Sequence, residues 1–460
     1  MSVAFMRSHL RRCSTLLALG VAALQVPSVC AQTAQGTLRA GAARVDLTPA
    51  ANALPPGSQG ILDPLNARAL VIDNGRARVA MVTVDAGGLP TELWQRLSAR
   101  AQRELGIAPA NLLLTATHTH SAPFARDASY EDRIFEAVRQ ANARLQPARM
   151  AFGTGLSWIN VNRNIIDPAT RRWWEGPNYD GPSDKTVSVM RFETAAGAPI
   201  AVYYNYAVHP VITGNLDMVS ADIPGAASNY LEASMGGDAV ALWSSGASGD
   251  QNPIFFNQTY ELRAIRVKDY AARGQDISNA MPPGGQGLDR SNPRVRVLLD
   301  QQKQVNSALG LMLAEEVLHV MRASLQRAAV QAELGGATKT ITCPGRKRTN
   351  EGRAGFAGTY EDAAPVPVML SLLRIGDVVI GGVNAEVFNP IAVRFKRESP
   401  FRNAMMATLT NGSAPSGYIP NDAAFGQYTF EVLSSRLKPG CAEDAIVNGL
   451  LDLEGGVTTK

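Results

Sequence analysis

Three apolar runs in this chain share one design, and together they narrow the choice of fold more than any other feature. "NLLLTATHTH" (111–120), "IAVYYNYAVHP" (200–210) and "DAVALWSSGASGD" (238–250) each end in a loop of small and polar residues. Their β-branched and aromatic content and short length read as strands. "ARALVIDNGRARVAMVTVDAGG" adds two strands around an Asp-Asn-Gly hairpin turn, the second ending at Asp85. Further strands are read in "MAFGTGLSWINVNR", "KTVSVMRFET" and "VPVMLSLLRIGDVVIGGVNAE". Helical spacing runs through "PTELWQRLSARAQRELG", with Thr91 as its cap and Gly106 as its stop. "RIFEAVRQANARL" and "NSALGLMLAEEVLHVMRASL" are two more helices. Strands interleaved with helices predict an α/β fold, mixed β-sheets flanked by helices in a single large domain.

The first 31 residues read as a targeting segment. Arg7, Arg11 and Arg12 precede the apolar "STLLALGVAALQVP", and Val29 and Ala31 stand at the −3 and −1 positions of a signal-peptidase site. The expectation is cleavage after Ala31 and export to the periplasm or medium, with residues 32–460 as the mature chain. No later apolar run reaches transmembrane length. The formal charge of +4 includes the arginines of this segment, and no basic run points to nucleic acid. Beyond Cys13 and Cys30 only Cys343 and Cys441 remain, each beside Pro-Gly. In an oxidising compartment a disulfide and a pair of free thiols are both open readings. The charged, turn-rich stretch 256–302 reads as a surface excursion and a candidate lid.

The chain has five His in 460 residues. His118 and His120 lie one residue apart at the end of an apolar run, and strand geometry predicts that positions i and i+2 share a face. His209 ends another run, just before Pro210. Strand exits are where α/β proteins build sites, and three histidines suit Zn²⁺ with positions left for water and a carboxylate. His319 sits in a helical run and reads as structural.

The motifs "THTHSAP", "NYAVHP", "SADIPG", "SGASGDQNP", "NAEVF" and "NGSAPSGYIP", in this order, resemble the catalytic domain of the neutral (non-lysosomal) ceramidases. The resemblance runs from "AGAARVDLTP" to "GQYTFEV". It implies one zinc per chain held by His118, His120, His209, Glu386 and Tyr418. It places Arg163 of "NVNRN" near the substrate and makes Tyr428 of "GQYTFE" a second active-site tyrosine. Two departures stand out. Asn252 of "GDQNP" occupies the position at which the family carries its nucleophilic serine, and the family's C-terminal β-sandwich domain is expected to be missing.

An amide cannot be that nucleophile, so the expected activity is hydrolysis of a linear amide by zinc-activated water. The substrate would be ceramide-like or another N-acyl compound. Asp222 or Asp250 would take the proton of the water or support a metal ligand. Ser121 and Ser248 lie nearby without matching the serine position. The competing readings are a non-catalytic, metal-containing periplasmic ligand-binding protein and a zinc esterase or peptidase on the same scaffold. The oligomeric state is left open by the sequence.

Overall fold

The computed structural model describes residues 37–122, 128–278, 281–350 and 354–458, so the targeting segment read at 1–31 lies outside the described residues. In chain order the first elements are β1 (Arg39–Asp46), β2 (Asn66–Asp73), β3 (Arg78–Val84), α1 (Thr91–Leu105), β4 (Leu112–Ala116), α2 (Ala128–Ala143) and β5 (Gln146–Leu156). Then come β6 (Asn160–Ile166), β7 (Trp173–Asn178), β8 (Thr186–Thr194), β9 (Pro199–Tyr206), α3 (Asp222–Ser234), β10 (Val240–Ser245) and β11 (Gln251–Pro253). The second half adds α4 (Asn257–Ala271), α5 (Pro293–Ala323), β12 (Leu334–Arg348), β13 (Tyr360–Ile375), β14 (Val378–Val383) and β15 (Glu386–Val387). The last elements are α6 (Asn389–Glu398), β16 (Asn403–Thr408), β17 (Tyr418–Ile419), α7 (Phe430–Ser434) and α8 (Ala442–Thr458).

Eight strands form one mixed sheet in the order β10-β9-β8-β5-β1-β2-β3-β4, and β12-β13-β14-β16 form a second. Alternation along β2 shows how they stack. Ala67, Ala69 and Val71 face one way, into a cluster with Leu93 and Leu97 of α1 and Ile134 and Phe135 of α2. Leu70 and Ile72 face the other way, into a cluster with Leu373, Ile380 and Met405 of the second sheet. Because side chains alternate along a strand, the two sheets pack face to face with helices outside. Helices α6 and α8 cover the far face of the second sheet. Helices α3 and α5 cover β8, β9 and β10. Strands buried on both faces explain why the sequence shows continuous apolar runs rather than alternation.

Within the two large sheets three strand pairs are parallel: β3 with β4, β9 with β10, and β14 with β16. Each is joined through one helix, α1, α3 or α6, as a parallel pair requires. The loops leaving β4, β9, β10 and β14 are the ones that carry the site. The hairpin read at Asp73–Gly75 is present, with Asp73 paired to Arg78 and Gly75 at φ +79.

Several local expectations are corrected. Pro90 occupies the N-cap position of α1 without a side-chain cap, and Thr91 is the first helical residue; Gly106 ends it at φ +68 as read. Strand β4 stops at Ala116, so His118 and His120 lie beyond it and do not share a strand face. The 256–302 stretch is largely helical. Asn292 accepts from the Arg294 N–H at 2.9 Å with Pro293 following, a start signal that opens α5 inside the stretch. Leu262, Leu288, Val295, Leu298 and Leu299 pack there with Leu216. Cys343 and Cys441 are joined in a disulfide, Cα to Cα 5.8 Å, which resolves the open reading. His319 is exposed on α5, its ring 3.4 Å from Glu316. Among the described residues no helix is long and apolar enough to cross a membrane.

Candidate metal centre

Strand β4 delivers its histidines through a turn. Thr117 and His118 donate their N–H groups to Val84, the last residue of β3, and Ala86 just beyond it, and His118 adopts φ +69. That left-handed conformation is unfavourable for a residue with a side chain, and such outliers concentrate at functional sites. It turns the ring of His118 toward those of His120 and His209, with centroids 4.9 and 4.6 Å away. The ligating atoms of the three lie within 4.8 Å of one another, a group able to hold a metal ion. The i, i+2 argument thus reached the right pair through the wrong geometry.

The protonation of two rings is set by their backbone contacts. Nδ1 of His118 lies 2.6 Å from the carbonyl oxygen of Gly87, and Nδ1 of His209 lies 2.9 Å from that of Ser248. A carbonyl only accepts, so each Nδ1 carries the proton and each Nε2 presents a lone pair. The two Nε2 atoms face each other at 3.0 Å, and Oε2 of Glu386 lies 3.2 and 3.4 Å from them. Lone pairs brought this close repel unless a cation lies among them. Two bare ring nitrogens, a third imidazole and a carboxylate are the donor set of a divalent transition metal, and carbonyls behind the rings are the usual outer support. The residues therefore fit zinc.

Electrostatics agree for His209 and Glu386, while His118 shifts the other way. Burial, helped by the charge of Arg163, holds His209 well below the ordinary histidine range. Burial opposes charge on Glu386 too, but His118 and His209 outweigh it and keep the carboxyl below its usual range. His118 moves upward, burial being outweighed by Glu386.

Glu386 and Tyr418 meet through two very short strands. β15 and β17 pair in parallel with Glu386 opposite Tyr418, so a two-residue ladder sets the carboxylate beside the phenol. Burial, reinforced by Glu386, pushes the Tyr418 phenol above its ordinary range.

The opposite wall comes from the three-stranded sheet β11-β6-β7. Arg163 of β6 is buried. Its Nε donates to Glu431 Oε1 at 2.6 Å, its Nη1 to Asn252 Oδ1 at 3.4 Å, and its guanidinium lies 5.5 Å from the Tyr418 ring centroid. Asn252, buried on β11, also donates from Nδ2 to Glu175 Oε1 at 2.9 Å. Glu175 Oε2 in turn lies 3.4 Å from Arg263 of α4. Both amide atoms of Asn252 are therefore engaged, as a link between Arg163 and Glu175.

The two candidate aspartates sit in the supporting loops. Asp222 Oδ2 accepts from Thr213 at its N–H (2.7 Å) and hydroxyl (2.5 Å), and Thr213 Oγ1 lies 2.8 Å from Ser121 Oγ. Asp250 accepts from the Asn389 N–H at 2.9 Å and from Asn162 Nδ2 at 3.0 Å, and burial pushes its carboxyl up to about 7. Tyr428 is half exposed at φ +53, and its carbonyl accepts from Gly355 N–H at 2.8 Å. Glu431, Glu175 and Arg263 were not anticipated. Glu431 stands inside the quoted motif "GQYTFEV", in the first turn of a short helix capped by Thr429, and that context was its signal.

Fold and site together place a histidine group able to hold a metal ion at the carboxyl ends of parallel strands. Residues 53–261 match the family model for the neutral/alkaline non-lysosomal ceramidase, N-terminal. Neutral ceramidase B of Dictyostelium discoideum is 30% identical over 241 residues, 46% of this chain and 33% of that protein. Neutral ceramidase of Pseudomonas aeruginosa is 28% identical over 239 residues, 45% of this chain and 35% of that one. The matched region thus spans about a third of these relatives' length. Two solved structures share the fold. The crystal structure of neutral ceramidase from Pseudomonas aeruginosa has a TM-score of 0.69 at 19% identity, covering 91% of this chain and 74% of that one. A ceramidase complexed with C2 has a TM-score of 0.68 at 17% identity, covering 92% and 75%. Over residues 53–261 the chain is similar to the N-terminal part of the neutral/alkaline non-lysosomal ceramidases, and it shares their fold.

Proposed function

We propose that this chain is an exported, zinc-dependent amidohydrolase that cleaves the linear amide of a ceramide-like or other N-acyl substrate. One observation carries the reading: the Nε2 lone pairs of His118 and His209 and the Glu386 carboxylate face one point, with Nδ1 of both rings tied to backbone carbonyls. His118, His120, His209, Glu386 and Tyr418 would hold the ion. Zinc, when bound, supplies Lewis acidity and a water acidic enough to ionise near neutral pH.

The chain's own residues do the rest. Tyr418, with its proton retained by burial, is a hydrogen-bond donor beside Glu386. Arg163, pinned by Glu431 and Asn252, offers a fixed positive charge to a substrate oxygen. Asn252 positions Arg163 and carries no nucleophile. Asp222 steadies Thr213 and Ser121, and Asp250 steadies the loops behind His209. Tyr428, on the rim, is a substrate-facing side chain in this reading.

A second reading has Asn252 on its side: a non-catalytic ligand-binding protein that keeps the metal. Turnover separates the two. Purified protein should hold about one zinc per chain and hydrolyse N-acyl amides. Chelation should abolish hydrolysis, and added Zn²⁺ should restore it. Full zinc content with no hydrolysis across amides, esters and peptides would favour the binding protein. Ester or peptide turnover without amidase activity would favour the esterase or peptidase reading.

A further inference from the structure

The chain leaves β16 through Leu409, Thr410 and Asn411, three buried residues that tie together the exits of other strands. Leu409 donates its N–H to the Ala385 carbonyl at 3.3 Å, and its own carbonyl accepts from the Ala116 N–H at 3.3 Å. Ala385 precedes Glu386, and Ala116 ends β4 two residues before His118. Thr410 donates its N–H to the carbonyl of Val383, the last residue of β14, at 3.2 Å. Asn411 engages both backbone groups of Leu114. Its N–H donates to the Leu114 carbonyl at 2.7 Å, and its Oδ1 accepts from the Leu114 N–H at 2.8 Å. β4 is the last strand of the eight-stranded sheet, so Asn411 supplies at that edge what a neighbouring strand would. Just upstream, the Thr408 hydroxyl donates to the Gly246 carbonyl at 2.9 Å, at the exit of β10. Two residues beyond Gly246 comes Ser248, whose carbonyl holds His209.

The backbone is left-handed at two of these positions, with φ +55 at Leu409 and φ +57 at Asn411. An extended residue points its N–H and C=O toward the same neighbour. Leu409 instead sends them to Ala385, beyond β14 of the second sheet, and to Ala116, in β4 of the first. This conformation is accessible to asparagine but costly for leucine, and it persists where the surrounding contacts hold it.

We infer that Thr408–Asn411 form a clasp that sets the histidine loop against the Glu386 loop, with Asn411 as a positioning residue that acts through β4. The inference rests on the metal-centre reading above.

The test compares the unaltered chain with Asn411→Gly, which permits the left-handed backbone and removes the Oδ1 acceptor. Zinc affinity should fall roughly 10-fold, the scale for losing support behind a ligand. With Co²⁺ in place of zinc, the visible spectrum follows coordination geometry and should move toward that of Glu386→Ala. A variant with a lower melting temperature but unchanged zinc affinity and cobalt spectrum would leave Asn411 a purely structural residue and overturn the inference. Hydrogen exchange on the metal-free protein gives a readout that needs no ion: residues 114–120 and 384–388 should exchange faster together in the variant. Faster exchange confined to 409–412 would overturn the clasp. If the unaltered chain binds neither zinc nor cobalt, the metal reading falls, and exchange alone decides the clasp. Should Asn411→Gly fail to fold, Thr408→Val keeps the branched shape, removes the hydroxyl on Gly246 and carries the same measurements. Lower zinc affinity with faster exchange over 246–250 would support the clasp, and no change in either would overturn it.

Discussion

The two walls of the site are held in different ways. On the metal side, the rings of His118 and His209 are oriented by backbone carbonyls of Gly87 and Ser248 at the ends of strands in the packed sheets. On the substrate side, Arg163, Asn252, Glu175, Glu431 and Arg263 are oriented by one another. A backbone acceptor survives almost any side-chain change nearby. A chain of side chains fails at whichever link is cut, and each cut leaves a buried charge unmatched. The metal side should therefore respond to mutation one ligand at a time, whereas the substrate side should respond as a unit.

The largest effect tests the first half of that contrast. His118→Ala or His209→Ala should lower zinc affinity by 100-fold or more and remove detectable turnover, with the circular dichroism spectrum unchanged, because the backbone that holds the loop is untouched. Zinc content by plasma mass spectrometry decides it; a double variant that keeps its full zinc would show that these rings are not the ligands.

Next in size is the disulfide. It joins β12 to the start of α8, beside the strand stretch where Arg346 donates to Ser435 and Val432 around α7, the helix that carries Glu431. Cys343→Ser with Cys441→Ser should cost roughly 2–5 kcal/mol in denaturant unfolding. It should also raise KM while zinc content stays constant, since only the substrate wall leans on this region. Loss of zinc in that variant would mean the two walls are coupled.

A smaller effect is expected at Asn252. Asn252→Ala should reduce kcat/KM by roughly 10- to 100-fold, the loss of one donor link beside a charge, and no acyl group should be found on the chain after a rapid quench. An acyl group trapped on Ser121 or Ser248 would assign a nucleophile that this geometry does not. If the wall acts as a unit, Asn252→Ala and Glu175→Gln combined should cost little more than either alone.

The smallest effect is a pH dependence. Asp63, behind the metal loop, accepts from Ser220 Oγ and Ala221 N–H, and burial raises its carboxyl to about 6. A raised carboxyl favours the fold while protonated, so this contribution is complete below about pH 4 and is lost as pH rises through about 6. Asp63→Asn should flatten the stability profile by on the order of 2 kcal/mol between those limits. An unchanged difference between the two proteins at pH 4.5 and pH 7 would reject it.

The same contrast explains what could be read in advance. His118, His120 and His209 were visible because apolar strands end beside them, and burial of a strand on both faces writes itself into the sequence; Glu386 came through the family resemblance alone. The α/β architecture followed from the same runs. The strand-face argument failed at His118 because a positive φ is a matter of loop hydrogen bonds to Ala86 and Gly87, which no local pattern announces. Glu431 and Glu175 were missed for a different reason. An isolated glutamate in sequence is expected to be solvated, and only a distant partner such as Arg163, 268 residues earlier, makes burial tolerable. The start of α5 inside the 256–302 stretch was legible at Asn292–Pro293 but was masked by the charge and turn residues around it.

The Cys343–Cys441 bridge closes 98 residues of chain into a covalent ring that includes β13, β14, β15, α6, β16, β17 and α7. A single cut anywhere in that ring opens a loop without producing two molecules. A nicked chain would therefore still run as one species on a non-reducing gel and separate only after reduction. Glu386 and Tyr418 both lie inside the ring, whereas the three histidines lie outside it. After a cut between Cys343 and Glu386, the bridge would be the one covalent tie keeping the carboxylate and phenol of the site on the same molecule as its imidazoles; after a cut between Tyr418 and Cys441 the peptide chain itself still joins them.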